Sequence, residues 1–176
     1  MHFRKVTLVG VGLLGGSLGM ALRRRGLADE VQGFVRRASS VAECLALGVV
    51  DRCSRNLAEA VVDADLVVLC SPVGQSPGLF REMSRHLSPD CLVTDVGSVK
   101  TEICQKGHAA IFPHAHFVGS HPMAGSEKTG WAHARPDLFV GRTVFVTPGP
   151  ETAPAATAHV AAFWTALAGK VATVAP

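Results

Sequence analysis

Short runs that are apolar almost throughout alternate along the chain with longer helical patterns. KVTLVG (5–10), VQGFV (31–35), ADLVVLCS (64–71) and CLVTDVG (91–97) are runs of the first kind. They predict strands buried on both faces, the signature of a parallel sheet. Helices are predicted over 13–26, ended by Gly26, and over 39–48, closing on Gly48. Others follow at 56–64, where Asn56 suits an N-cap, at 76–87, and from about 99 to 111. HFVGSHP (116–122) begins as a short strand, and a glycine- and proline-containing loop region spans about 119–142. RTVFVTPG reads as a strand, the stretch 151–169 as a helix capped by Gly169, and KVATVAP as a final strand. Strand–helix alternation of this kind predicts an α/β fold: a doubly wound, mainly parallel sheet with helices on both faces.

The 176 residues suit one domain, long enough to bury roughly 70% of its unfolded surface without disulfides or a structural metal. A net charge of +3 with scattered arginines is not the footprint of a nucleic-acid binder. Arg23, Arg24 and Arg25 cluster, but at a predicted helix end, where cations suit the dipole. Five widely spaced cysteines without a C-x-x-C pair argue against a zinc site or a redox dithiol and suit a reducing compartment. His114 and His116 alternate on one strand face, yet no acid or cysteine completes a cluster, so no metal is expected. No apolar run approaches the ~20 residues of a membrane span, and a cytoplasmic protein is expected.

Gly10-Val11-Gly12-Leu13-Leu14-Gly15 fits G-x-G-x-x-G between a predicted strand and a predicted helix, the context that gives this otherwise weak pattern meaning. In a Rossmann-type fold Gly10 makes the tight turn, Gly12 lets backbone approach a pyrophosphate, and Gly15 lets the helix pack on the sheet. The first helical turn, at Leu13 and Leu14, presents free N–H groups to the phosphates. Ser71, Pro72 and Val73 end another strand in the same way and are read as further cofactor contacts. At the end of the second strand an NAD site usually carries a carboxylate. Here Val35 stands there, followed by Arg36, Arg37 and Ser39. Arginine would hold a 2′-phosphate through charge-assisted bonds, so the sequence predicts NADP rather than NAD. The other reading of Arg36 and Arg37 is solvated loop charge.

Two further stretches place polar groups after strands. TDVGSVK holds Asp95, Ser98 and Lys100; GSHPMAGSEKTG holds His121, Ser126, Glu127 and Lys128. Hydride loss from a carbinol needs a group that takes the hydroxyl proton, and histidine suits this near neutral pH. His121, followed by Pro122, is the candidate, and Ser98 is placed to fix its tautomer. Taken alone, a loop histidine is more often structural.

GVGLLGGSL, CSPV, TDVGSVK and GSHPMAGSEKTG together resemble the prephenate/arogenate dehydrogenases of tyrosine biosynthesis, in order and spacing, across essentially the whole chain. The last two motifs are the specific ones. The resemblance implies oxidative decarboxylation of prephenate or arogenate: hydride passes from the ring carbinol carbon to nicotinamide, and carbon dioxide leaves. It implies His121 as the catalytic histidine, Ser98 as the serine linking it to substrate and nicotinamide, Ser126 as a substrate contact and Glu127 near the site entrance. Many members carry an acid where Val35 stands, which again points to the NADP-using branch. The family's helical dimerisation domain has no counterpart in residues 1–176. The chain is therefore expected to be the nucleotide-binding domain, to turn over poorly alone, and to form a homodimer only in a full-length enzyme. Another hydroxyacid or imine-type reductase, or a non-catalytic NADP-binding sensor, are the alternative readings.

Overall fold

The computed structural model describes residues 1–127 and 130–176. Six parallel strands form the main sheet in the order β3-β2-β1-β4-β5-β6. They are β1 (Phe3–Val9), β2 (Ala28–Phe34), β3 (Arg52–Ser54), β4 (Leu66–Leu69), β5 (Leu92–Asp95) and β6 (His116–Phe117). Helices α1 (Leu13–Arg25), α2 (Ala38–Ala46), α3 (Leu57–Val61), α4 (Ser76–Met83) and α5 (Thr101–Ile111) connect them. The period of two along each strand feeds two cores. Leu66 and Val68 enter one with Leu8, Leu18 and Trp164; Val67 and Leu69 enter the other with Phe80, Ile103 and Phe117. This is why the strands read as unbroken apolar runs. No helix among the described residues is long and apolar enough to cross a membrane.

The predicted helix ends have identifiable causes. Gly26 and Gly169 take the left-handed conformation just past α1 and α6 (Pro154–Ala168). The Asn56 side chain accepts from the Glu59 N–H at 3.4 Å, as an N-cap should.

Two features depart from the expected pattern. Strand β3 was not anticipated, since three half-exposed residues carry no periodic signal. The run 116–122 is two strands that part at Val118: β6 closes the main sheet, and β7 (Gly119–Pro122) opens a second. In that sheet β8 (Thr143–Thr147) pairs antiparallel with β7 and parallel with β9 (Lys170–Thr173).

The second sheet's approach loop is seated on α1. A Cβ on Gly16 would lie 2.9 Å from the Ala134 Cβ, and the Arg135 N–H donates to the buried Ser17 hydroxyl at 3.0 Å. Ser17→Ala should therefore cost about 1 kcal/mol, the usual worth of one such bond. Thermal unfolding and faster amide exchange confined to 131–138 would check this.

Candidate functional site

The order 3-2-1-4-5-6 puts a topological switch point between β1 and β4, the place where open α/β sheets bind ligands. Gly10 ends β1 there with φ +100°, and a Cβ on it would sit 3.0 Å from the Ser71 nitrogen at the end of β4. Gly15 brings α1 down onto the turn: its Cβ would lie 2.1 Å from the Gly10 carbonyl oxygen. Gly12 differs, because a Cβ there meets nothing within 4 Å. Its backbone borders open space at the N-terminus of α1, beside Leu13 and Leu14. Across the crevice the Ser71 hydroxyl is buried and has no hydrogen-bond partner among the described residues. Pro72 and Val73 lead from it into a short 3₁₀ turn. A turn bare of side chains at Gly10, Gly12 and Gly15, beside a buried, unpartnered hydroxyl, fits a dinucleotide's phosphates.

TDVGSVK and GSHPMAGSEKTG meet through buried polar contacts. Asp95, at the end of β5, accepts from the Ser120 N–H at 3.0 Å through one oxygen. Its other oxygen accepts from the Gly97 N–H at 2.9 Å and from the Lys100 ammonium. Lys100 also donates to the Ser120 carbonyl at 2.8 Å. The Ser120 hydroxyl donates to the Asp95 carbonyl and accepts from Trp164 Nε1 at 2.8 Å. It also lies 2.9 Å from Thr94 Oγ1. The Lys100 and Asp95 side chains are only 10% and 3% exposed, so this is a buried ion pair with its hydrogen bonds filled. Burial pushes the Asp95 carboxyl up, and Lys100 and the two N–H donors oppose that push.

His121 follows Ser120 on β7 and is half-buried. Burial holds its imidazole below the ordinary histidine value; the Lys100 charge adds to this and Asp95 opposes it. Protonation is thus disfavoured in the folded chain. As pH falls below the unfolded histidine's value of about 6.5, the unfolded chain takes the proton first and the fold loses this contribution. Ser98 is exposed in the loop after β5, and among the described residues it makes no hydrogen bond with His121. Ser126 and Glu127 are exposed and line a cleft of about 410 Å³ with Leu13, His133, Arg135 and Leu138. That cleft joins the start of α1, at Leu13, to the loop that follows β7, at Gly125–Glu127. Lys128 lies outside the described residues.

Residues 18–173 match the family model described as prephenate dehydrogenase, nucleotide-binding domain. The chain belongs to this family. It is 32% identical to the prephenate dehydrogenase of Bacillus subtilis over 148 residues, covering 84% of this chain and 40% of that protein. It is 29% identical to the cyclohexadienyl dehydrogenase of Zymomonas mobilis over 170 residues, covering 96% of this chain and 57% of that one. Among solved structures it is similar to prephenate dehydrogenase from Aquifex aeolicus in complex with hydroxyphenyl propionate and NAD+. There the TM-score is 0.92 at 31% identity, over 100% of this chain and 61% of that one. The arogenate dehydrogenase of Synechocystis gives 0.90 at 32% identity, over 98% and 60%. The chain thus spans about 40–61% of the length of these relatives. The family match begins at residue 18, so the glycine loop is tied to the family by structural superposition rather than by that match.

One expectation is overturned. Arg36 and Arg37 predicted NADP, but the A. aeolicus relative is in complex with NAD+. The structure gives the physical reason. Val35 is buried, while Arg36, Arg37 and Ser39 are all exposed where β2 passes into α2. The Arg36 contact that the structure shows is through its backbone carbonyl, which accepts from Arg55 Nε at 3.1 Å. Among the described residues no ion pair or hydrogen bond holds either guanidinium in place, so the turn carries no preset phosphate site, in line with the second of the two readings the sequence allowed.

Proposed function

We propose that this chain is the nucleotide-binding domain of an NAD-linked dehydrogenase that oxidatively decarboxylates prephenate or arogenate. The observation that carries the reading is the junction of TDVGSVK and HPMAGSEKTG through Asp95, Lys100 and Ser120, which sets His121 beyond the end of β5. Gly10, Gly12, Leu13, Leu14, Gly15 and Ser71–Val73 would hold the dinucleotide, whose nicotinamide supplies a hydride acceptor when bound. His121 takes the proton of the substrate's ring hydroxyl on a ring nitrogen as the carbinol C–H bond breaks. Ser98, in the loop after β5, would meet that hydroxyl, and Ser126 and Glu127 would meet substrate from the cleft. The ring carboxylate leaves as carbon dioxide, its bonding electrons complete the aromatic ring as a phenolate, and His121 returns its proton to that oxygen.

The reading is tested by supplying the whole natural protein with NAD+ and either substrate. Equal amounts of NADH and carbon dioxide are expected from one of the two. Absence of hydride transfer from both would refute it. Because His121 must start neutral and is held below 6.5, the acid limb of kcat/KM should fall below pH 6.5. A limb at or above that value would assign the proton to another group.

A further inference from the structure

We propose that the buried Lys100–Asp95 pair is the positioning device of this site: it fixes Ser120 at the junction of the two sheets, turns the His121 side chain to the opposite face of β7, and sets a positive charge that acts on the imidazole. The inference rests on His121 being the proton acceptor. It concerns two residues that belong neither to the glycine turn nor to the cleft lining.

The geometry is specific. Every polar atom of Ser120 is engaged: its N–H by Asp95, its carbonyl by Lys100, its hydroxyl by the Asp95 carbonyl and by Trp164. Side chains alternate along a strand. With Ser120 fully buried and held inward, its neighbour His121 must face the other way. Among the elements packed on β7, charge reaches His121 from β5 and the loop after it, through Asp95 and Lys100. Its ladder partner on β8 is Phe145, and the α6 contact with Ser120 is Trp164; neither is charged. From α5, Cys104 packs against Gly119.

A buried ion pair is a costly way to join two strands if joining is its whole task, since apolar residues of similar volume often serve as well or better. The pair's chemistry gives the reason for keeping it. Lys100 lowers the proton affinity of His121 and Asp95 raises it, with Lys100 the stronger. Removing Lys100 must therefore raise the affinity. It does so whether Asp95 then stays ionised or takes up a proton, because in neither case does a nearby cation remain.

The test is an NMR titration of the histidine rings in this chain, with His121 assigned by comparison with His121→Asn. In the wild-type chain His121 should titrate below 6.5. Lys100→Met should move its midpoint up by about half a pH unit or more, and Lys100→Arg should leave it low. The double variant Asp95→Asn/Lys100→Met leaves no buried charge unpaired; it should also move the midpoint up and serves if the single variant does not fold. A folded Lys100→Met chain with lowered Tm but an unmoved His121 midpoint would reduce the pair to a strand clamp and overturn the proposal. So would a wild-type midpoint at or above 6.5. No turnover is needed for this measurement. A whole protein inactive on both substrates would therefore remove the functional reading while leaving the pair's effect on His121 standing.

Discussion

His121→Asn should lower turnover of the whole protein by about 10²–10⁴-fold while leaving NADH affinity within about twofold. Asparagine keeps a polar group at the position, but it accepts no proton near neutral pH. The cofactor cradle lies on β1, α1 and the end of β4, whereas His121 stands on β7 in the other sheet, so binding and proton transfer should separate cleanly. Steady-state rates and calorimetry on the same preparation give both numbers. Turnover within about threefold of wild type would make His121 a bystander.

The second large effect divides the glycines of α1 by what each one faces. A Cβ on Gly15 would lie 2.1 Å from the Gly10 carbonyl oxygen, and one on Gly19 only 1.9 Å from the Val49 carbonyl oxygen. Both obstacles are backbone and cannot swing aside. Gly15→Ala and Gly19→Ala should each cost about 3 kcal/mol, at the upper end of ordinary overpacking, because α1 must lift off the sheet or off residue 49. Gly12→Ala should do the reverse. Its Cβ meets no protein atom within 4 Å, so stability should change by less than about 1 kcal/mol. It would fill the space the phosphates need, and NADH affinity should fall about tenfold or more. Chemical denaturation and calorimetry on the three variants would check the division. Equal loss of stability at Gly12 and Gly15 would argue against a cradle.

The contrast also shows where sequence reading reached its limit. G-x-G-x-x-G locates Gly10, Gly12 and Gly15 because each does a job that recurs at fixed spacing. Gly16 and Gly19 do equally demanding work, but their partners are Ala134 and Val49, and nothing local announces a contact across 118 or 30 positions. Strand and helix ends marked by local chemistry, such as Asn56, Gly26 and Gly169, were legible. The switch of sheets at Val118 was not, because β6 and β7 share one apolar run and only their partners differ. His121 and Ser98 are nominated by their motifs alone. The clamp that aims His121 could not, since it depends on Asp95 and Lys100 folding back on Ser120. Arg36 and Arg37 show the opposite error: a charge pattern was given a ligand, and the structure leaves those side chains in solvent.

The central claim is that the glycine crevice and His121 belong to one site, though they stand on different sheets. A single NADH titration followed by NMR tests it most directly, reading the Gly10–Gly15 backbone amides and the His121 ring in the same spectra. The account predicts that both sets of signals move together with one dissociation constant. Glycine amides that shift while the His121 ring stays still, or signals that move only elsewhere on the molecule, would contradict it.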